Sequence, residues 1–144
     1  MGFIKGRYVN TLDYYLKVGI LIGSRAFGGP ISAKTDYDLI VLAKDIPTDI
    51  PVTNGNYIEL ADGVIDMFYT TTKEGATINI QVVKDQIMFV RFYKAKTIMD
   101  QAGKVYEKNK RINQWRLCLA LAGVQEYKPW PKPSFMTKLK GLFK

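Results

Sequence analysis

Two aspartates, Asp36 and Asp38, stand two residues apart at the start of the apolar run from Leu39 to Leu42. An ionised carboxylate in such a run loses its solvation unless a cation or a hydrogen-bond donor meets it. In a strand, side chains at positions i and i+2 project from one face, about 6–7 Å apart. Asp36 and Asp38 therefore have the residue type and the spacing to hold a pair of divalent cations.

The composition leaves metal and acid–base chemistry to carboxylates. The sequence has no histidine and a single cysteine, Cys118. Zinc sites of the His/Cys type and Ser-His or Cys-His nucleophile pairs are thereby excluded. Cys118 stands between Leu117 and Leu119, which favours a small core residue over a nucleophile.

The net charge of +8 is divided unevenly along the chain. Residues 1–75 hold 7 basic and 9 acidic side chains, a balance of −2, whereas residues 76–144 hold 14 and 4, a balance of +10. The second half therefore suits a polyanion such as RNA. The alternative is that its lysines only keep the surface soluble.

The length of 144 residues fits one domain. We expect a single domain over residues 1–126, with a catalytic core at about 18–83 and a helical part at 84–126, followed by a basic Pro/Lys-rich tail at 127–144. No apolar run is long enough for a membrane span and no signal peptide is recognisable, so a cytoplasmic location is expected. The tail has the composition of a basic amphipathic helix, although docking onto the domain, or disorder, is the favoured interpretation.

Hydrophobic periodicity and turn residues indicate the elements that position the aspartates. We predict a first helix at 7–17, strands at 18–22, 36–43, 57–61, 64–70 and 77–83, and helices at 84–102 and 104–122. Asp62-Gly63 predicts a hairpin turn between the third and fourth of these strands. The expected fold class is mixed α/β (α+β), with a mixed or mostly antiparallel β-sheet flanked by helices and a helical C-terminal part.

A motif links the aspartates to a turn upstream. Gly23-Ser24, then eleven residues, then Asp36-Tyr37-Asp38, resembles the signature of the DNA polymerase-beta-like nucleotidyltransferase superfamily. The stretches Leu21 to Gly28 and Thr35 to Leu39 look particularly like the minimal nucleotidyltransferases of bacteria and their viruses. The family has a third carboxylate on a later strand, which Asp66 matches. The resemblance covers about residues 18–70, a little over a third of the chain.

The resemblance implies a polymerase-beta-like fold and a two-metal site. Asp36, Asp38 and Asp66 would be catalytic and would hold two Mg²⁺ or Mn²⁺ ions. Gly23 and Ser24 would contact the terminal phosphates of a nucleotide, because glycine lets the backbone approach and serine offers a hydroxyl and an amide. Arg25 is a further nucleotide-binding candidate, with an exposed surface arginine as the alternative.

The implied activity is transfer of a nucleoside monophosphate from a nucleoside triphosphate to a hydroxyl, with release of pyrophosphate. The expected acceptor is an RNA end such as that of tRNA, then a protein hydroxyl, then a small molecule. Minimal members often act beside a small helical protein, so such a partner is expected by resemblance only, and the oligomeric state stays open. The rival hypothesis is a catalytically silent nucleotide-binding, nucleic-acid-binding or inhibitory module of the same fold.

Overall fold

The computed structural model describes residues 11–47, 53–54, 61–72 and 74–129. It contains four helices and five strands in these parts of the chain, and a short 3-10 turn follows the second strand. In chain order they are α1 (Thr11–Val18), β1 (Ile20–Ile22), α2 (Ser24–Phe27), β2 (Tyr37–Leu42), the 3-10 turn (Ala43–Asp45), β3 (Thr53–Asn54), β4 (Val64–Thr71), β5 (Thr77–Val83), α3 (Gln86–Ala102) and α4 (Lys108–Leu121).

The strands form one sheet in the order β1-β2-β5-β4-β3. Strands β2 and β5 pair in parallel, and every other neighbouring pair is antiparallel. Helices flank this sheet, so the prediction of a mixed α/β protein with a mixed sheet is confirmed. The parallel pair lies between the antiparallel ones and brings Asp38 of β2 beside Asn79 of β5.

Each face of the sheet carries its own hydrophobic core, because strand side chains alternate between faces. The face toward α1 buries Tyr15 against apolar side chains of β2 and β5, namely Leu39, Val41, Ile78, Ile80 and Val82. The opposite face packs against α3 and α4 through Ile40, Val83, Phe92, Met99 and Leu119, among others. Asp38 lies between Tyr37 and Leu39 in β2 and so projects toward the α3 and α4 side.

Helices α3 and α4 begin at acidic caps. The side chain of Asp85 accepts a hydrogen bond from the backbone N–H of Ile87 at 2.8 Å, and Glu107 accepts from Asn109 and Lys110 at 3.1 and 2.6 Å. These caps satisfy backbone donors that have no partner within the helix. The helices consequently start at 86 and 108, a few residues after the predicted starts at 84 and 104.

Most predicted elements appear with small shifts in their bounds. The strand predicted at 77–83 is confirmed, and those predicted at 18–22, 36–43 and 64–70 are present at Ile20–Ile22, Tyr37–Leu42 and Val64–Thr71. Residues 7–10, 57–60 and 130–144 of the predicted helix, hairpin arm and tail lie outside the described residues. Within the described part, no helix is both long and apolar enough to cross a membrane.

Candidate functional site

The turn after β1 is pressed against the carboxylate of Asp38. Gly23 has a φ of 76°, and a Cβ built on it would lie 2.2 Å from Asp38 Oδ2. No other residue fits this position without displacing the carboxylate, because of both the left-handed backbone and the missing space. The structure thus brings the Gly-Ser pair and the second aspartate of the motif into direct contact.

The two aspartates share one hydrogen-bond donor. The side-chain Nδ2 of Asn79 donates to Asp38 Oδ1 at 3.0 Å and lies 3.4 Å from Asp36 Oδ2. Asn79 is the register partner of Asp38 on the neighbouring parallel strand. Asp36 and Asp38 therefore present carboxylate oxygens to the same point, and an amide N–H₂ group occupies it.

The electrostatics of this point favour a cation. Burial raises the pKa of the Asp38 carboxyl, the hydrogen bond from Asn79 lowers it, and the neighbouring Asp36 charge raises it further. Burial is the largest of these influences, so the ionised form of Asp38 is held in the folded chain at a cost. A cation between the two carboxylates would remove that cost.

The structure does not bring Asp66 to this pair. Thr71 pairs with Thr77, and the same register runs along β4 to Asp66, which lies opposite Val82 beside a β-bulge between Val64 and Asp66. Val82 belongs to the core on the α1 face, whereas Gln81 and Asn79, on the Asp38 face, pair with Met67 and Tyr69. Asp66 Oδ1 instead accepts from the backbone N–H of Met67 at 2.8 Å.

The predicted set of three aspartates is therefore not assembled. Among the described residues, no group of three or more His, Cys, Asp or Glu side chains could hold a metal ion together. A period of two makes the facing of a strand residue depend on register, and register in a hairpin follows from the turn. Asn79 lies on the same face as Asp38 and could offer a third oxygen ligand to a cation. Rotation of its side-chain amide would turn Oδ1 toward the two carboxylates.

Arg25 is engaged with the loop that leads into β2. Its Nε and Nη2 donate to the carbonyl oxygen of Thr35 at 3.0 and 2.9 Å, and Nη2 also donates to Ser32 O at 3.0 Å. Its guanidinium carbon lies 3.8 Å above the ring of Tyr37. In this arrangement Arg25 fixes the residues on either side of Asp36, so it positions the carboxylate pair.

Arg111 is a site residue that the sequence interpretation missed. It lies on α4, is only 7% exposed, and donates from Nη2 to the hydroxyl oxygen of Ser24 at 3.2 Å. Its Nη1 donates to the carbonyl oxygens of Val105 and Tyr106 at 3.3 and 3.0 Å. The absence of a side chain on Gly29 permits this approach, since a Cβ there would lie 3.1 Å from the guanidinium carbon.

A sequence signal for Arg111 existed in the last helix. Arg111, Trp115, Cys118 and Ala122 follow one another at spacings of four, three and four residues, which places them along one helical stripe. Three of these four side chains are buried, and Trp115 packs partly buried against the same core. A cation within an apolar stripe indicates a buried charge with a specific partner.

A cleft of about 230 Å³ lies between Asp38 of β2 and Arg111 of α4. Its lining includes Gly23, Asp38, Gln81, Arg111, Trp115 and Arg116. The strand side of the cleft contributes a carboxylate and the α4 side contributes two guanidinium groups. A ligand that combines a divalent cation with a phosphate chain would match both sides.

The α3–α4 connection is fastened to the segment that carries Ser24. The backbone N–H of Val105 donates to Phe27 O and Lys104 Nζ donates to Ala26 O, both at 2.8 Å. Gly28, the residue after Phe27, lies so close to the connection that a Cβ built on it would be 2.9 Å from the Cβ of Lys104. The helical half and the segment after the Gly-Ser turn are thus joined by one backbone–backbone and one side-chain–backbone hydrogen bond.

Comparisons with known proteins add no relative: no family model, no curated protein and no solved structure matches this chain. The function is therefore inferred from the residues and contacts of the chain itself.

Proposed function

We propose that the protein is a metal-dependent nucleotidyltransferase, of the polymerase-beta-like class, that transfers a nucleoside monophosphate from a nucleoside triphosphate to a hydroxyl and releases pyrophosphate. One juxtaposition carries the proposal. The carboxylates of Asp36 and Asp38 converge beside Gly23, and the next residue, Ser24, contacts a buried guanidinium. The candidate cation ligands and the candidate phosphate-binding arginine are thus contacted by adjacent residues of one turn.

This arrangement suits the demands of nucleotidyl transfer. The reaction needs a positioned triphosphate and compensation of the charge that develops on its oxygens, with little covalent help from the protein. A bound Mg²⁺ or Mn²⁺ would supply Lewis-acid polarisation of the phosphate oxygens. Asp36 and Asp38 would hold it, with Asn79 turning its amide oxygen inward. The remaining ligands of a second ion would come from the nucleotide, the acceptor and water.

The side chains around the carboxylates have distinct roles in this proposal. Gly23 keeps the backbone clear of Asp38 so that phosphate oxygens can approach, and Ser24 offers its hydroxyl. Arg25 holds the loop that carries Asp36. Register places Asp66 opposite Val82, whose side chain is on the α1 face, so we give Asp66 no role as a cation ligand.

The charge of the helical half favours an RNA end as the acceptor. Residues 76–144 carry a balance of +10, and α4 places Arg111 and Arg116 on the cleft. Phosphate contacts of this kind position a nucleic acid without reading its sequence. A protein hydroxyl is the second acceptor to test, and a small molecule is the third.

The experiment incubates the protein with each α-labelled nucleoside triphosphate, Mn²⁺ or Mg²⁺, and total RNA or cell lysate. We expect label transfer that falls at least about 100-fold in Asp38→Asn, the scale of losing one group that stabilises transition-state charge. Asp13→Asn, an exposed aspartate on α1, is the matched control and should retain full activity. Equal labelling by wild type and Asp38→Asn would refute the proposal.

Asp66→Asn separates two versions of the site. Retained labelling supports the two-carboxylate site that the register of β4 and β5 favours, whereas a loss as large as that of Asp38→Asn supports the three-carboxylate site predicted from the sequence. The substitution keeps the size of the side chain. Equal melting temperatures of wild type and Asp66→Asn would show that any loss of labelling does not come from unfolding.

A second candidate is a silent nucleotide-binding or inhibitory module, and Asn79 is the observation that favours it. A neutral amide stands beside the aspartates where a third acid would strengthen cation binding. This candidate predicts thermal stabilisation by Mg²⁺ with nucleotide, about 2.7 kcal/mol at 100 times the dissociation constant, without any labelled product. Labelled product rules it out.

A further inference from the structure

We propose that the tail at residues 130–144 docks on an apolar groove between α3 and α4. The groove has a volume of about 680 Å³. Its apolar lining includes Ile98 and Ala102 of α3, Leu117, Cys118 and Leu121 of α4, and Tyr127. The groove is separate from the cleft beside Asp38, so the proposal does not depend on the proposed function.

The first argument is the exposure of leucine side chains along the groove. Leu117 is 47% exposed and Leu121, one helical turn later, is 61% exposed, whereas Cys118 between them is buried. A single exposed apolar side chain is normal on a protein surface, but neighbouring ones that line a groove are typical of an interaction site. The two leucines therefore indicate that a further apolar segment packs on α4.

The second argument is the position at which the described part of the chain ends. Tyr127 lines the groove, and its hydroxyl donates to Asn113 Oδ1 at 3.3 Å. Arg116 Nη1 then donates to the carbonyl oxygens of Lys128 and Pro129, at 3.0 and 3.5 Å. These bonds hold the last described residues along α4. The tail consequently continues from the helix that forms one wall of the groove.

The other segments outside the described residues start from less suitable places. Residues 1–10 lead into α1, and Tyr15 of α1 packs on the opposite face of the sheet from α3 and α4. Residues 48–52 and 55–60 flank β3, which is an edge strand of the sheet. The position of the groove therefore favours the tail among these segments.

The third argument is the pattern of apolar residues in the tail. They stand at positions i, i+1, i+4, i+7 and i+8, which lie on one face of a helix. These residues are Phe135, Met136, Leu139, Leu142 and Phe143. Lysines 138, 140 and 144 fall outside that face. The lining of the groove carries a single charged side chain, Lys110, so it suits an apolar face better than a charged one.

The lengths of the two partners agree. An extended proline-rich stretch such as residues 130–133 spans about 12 Å, slightly more than the width of one helix. Residues 135–143 would cover about 14 Å as a helix, and the wall of α4 from Lys110 to Leu121 covers about 16 Å. The tail can therefore reach the groove and fill most of its length.

Attachment and charge favour the tail over a second copy of the chain. A segment joined by a connection of four residues has an effective concentration on the order of millimolar at its site. The net charge of +8 opposes self-association. A symmetric dimer through this groove would also place two Lys110 side chains in one interface.

The first test uses the full chain with isotope-labelled leucine methyl groups. We expect nuclear Overhauser contacts between the methyl groups of Leu139 or Leu142 and those of Leu117 or Leu121. A full-length protein without such contacts would overturn the proposal. Contacts found only between separately labelled molecules in a mixed sample would overturn it as well, because the occupant would then be a second copy.

The second test uses Cys118, the only cysteine of the chain, as a reporter of the covered groove. In Leu139→Gln, a thiol reagent should label Cys118 at least about tenfold faster than in wild type, the scale of withdrawing one leucine from an apolar contact. Lys140→Gln introduces the same side chain outside the apolar face and should change the rate less than about threefold, as for other surface substitutions. Equal rates in the two variants would overturn the proposal.

The groove side supplies a second matched pair. Leu117→Gln should speed up the labelling of Cys118, whereas Leu16→Gln, at a 40% exposed leucine of α1, should leave the rate unchanged. Combining Leu117→Gln with Leu139→Gln should accelerate labelling by less than the product of the two single effects, because each substitution releases the same segment. Effects that multiply would show that the two leucines act independently and would overturn the docking.

Discussion

On the α1 face of the sheet, β2 and β5 bury only apolar side chains against Tyr15, whereas on the α3 and α4 face the same two strands open with Asp38 and Asn79. Further along that second face β2 is apolar at Ile40, whereas β5 carries Gln81 before the buried Val83. The polar residues of β2 and β5 on this face thus run from Asp38 and Asn79 to Gln81. The comparison indicates that β2 and β5 contribute only apolar packing on the α1 face, while on the other face they combine apolar packing with polar side chains at a local cost in stability.

The largest effect should come from breaking the α1 face. Ile80→Ala removes a fully buried side chain and should lower the free energy of unfolding by about 2–5 kcal/mol. Urea unfolding measures this, and Ile65→Ala on β4, where the side chain is 57% exposed, should stay within about 0.5 kcal/mol. If the division between faces is correct, Mn²⁺ affinity of the folded fraction is unchanged in Ile80→Ala.

The next largest effect should come from changing the polar residues beside Asp38 on the α3 and α4 face. Asn79→Asp adds a third carboxylate beside Asp36 and Asp38, so we expect a lower melting temperature without metal and about tenfold tighter Mn²⁺ binding, because affinity follows ligand charge. Manganese titration followed by electron paramagnetic resonance measures the affinity. Gln81→Glu is the control, because Gln81 lies two residues after Asn79 on the same face of β5. This substitution should tighten Mn²⁺ binding less than Asn79→Asp. Unchanged affinity in Asn79→Asp would place the cation elsewhere.

A smaller effect follows from the raised pKa of Asp38. Because burial raises this pKa in the folded chain, the folded state binds a proton more readily than the unfolded state, and ionising Asp38 costs stability. Asp38→Asn should therefore raise the melting temperature of the metal-free protein at neutral pH. The expected rise is about 2–4 °C for each kcal/mol gained in the free energy of unfolding.

The pH dependence supplies the check on that prediction. The rise in melting temperature of Asp38→Asn over wild type should be largest above the pKa of Asp38 in the folded state. It should vanish as the pH falls below the ordinary pKa range of an aspartate, because Asp38 of the wild type is then neutral as well. Scanning calorimetry at several pH values measures it. An advantage that grows on acidification would contradict the assigned cause.

The smallest effect concerns a polar atom on the apolar face. The buried Tyr15 hydroxyl has no hydrogen-bond partner among the residues that the structure describes, and burial raises the pKa of Tyr15 to about 12. Tyr15→Phe should change the free energy of unfolding by less than about 0.5 kcal/mol or stabilise the protein, since no bond is lost. Tyr14→Phe, which removes a hydrogen bond to Asp45 O, should cost about 1 kcal/mol in the same urea experiment.

The sequence predicted the elements better than the contacts between them. Apolar runs bounded by turn residues were sufficient for β2 and β5, and the i and i+2 spacing was sufficient to bring Asp36 and Asp38 to one donor. The face of the sheet on which Asp66 lies was not predictable, because it depends on the register of β4 against β5 and on the bulge between Val64 and Asp66. Arg111 was missed because its meaning comes from Ser24, 87 positions away in the chain.

Two hydrogen bonds between the α3–α4 connection and α2 couple the position of the outer helices to that of the Gly-Ser turn. Val105 and Lys104 hold the carbonyl groups of Phe27 and Ala26, in the short helix that begins with Ser24. A large molecule that displaces the outer helices must move this short helix as well. In the transferase that we propose, an acceptor bound on the outer helices would therefore also act on the turn that contacts Asp38.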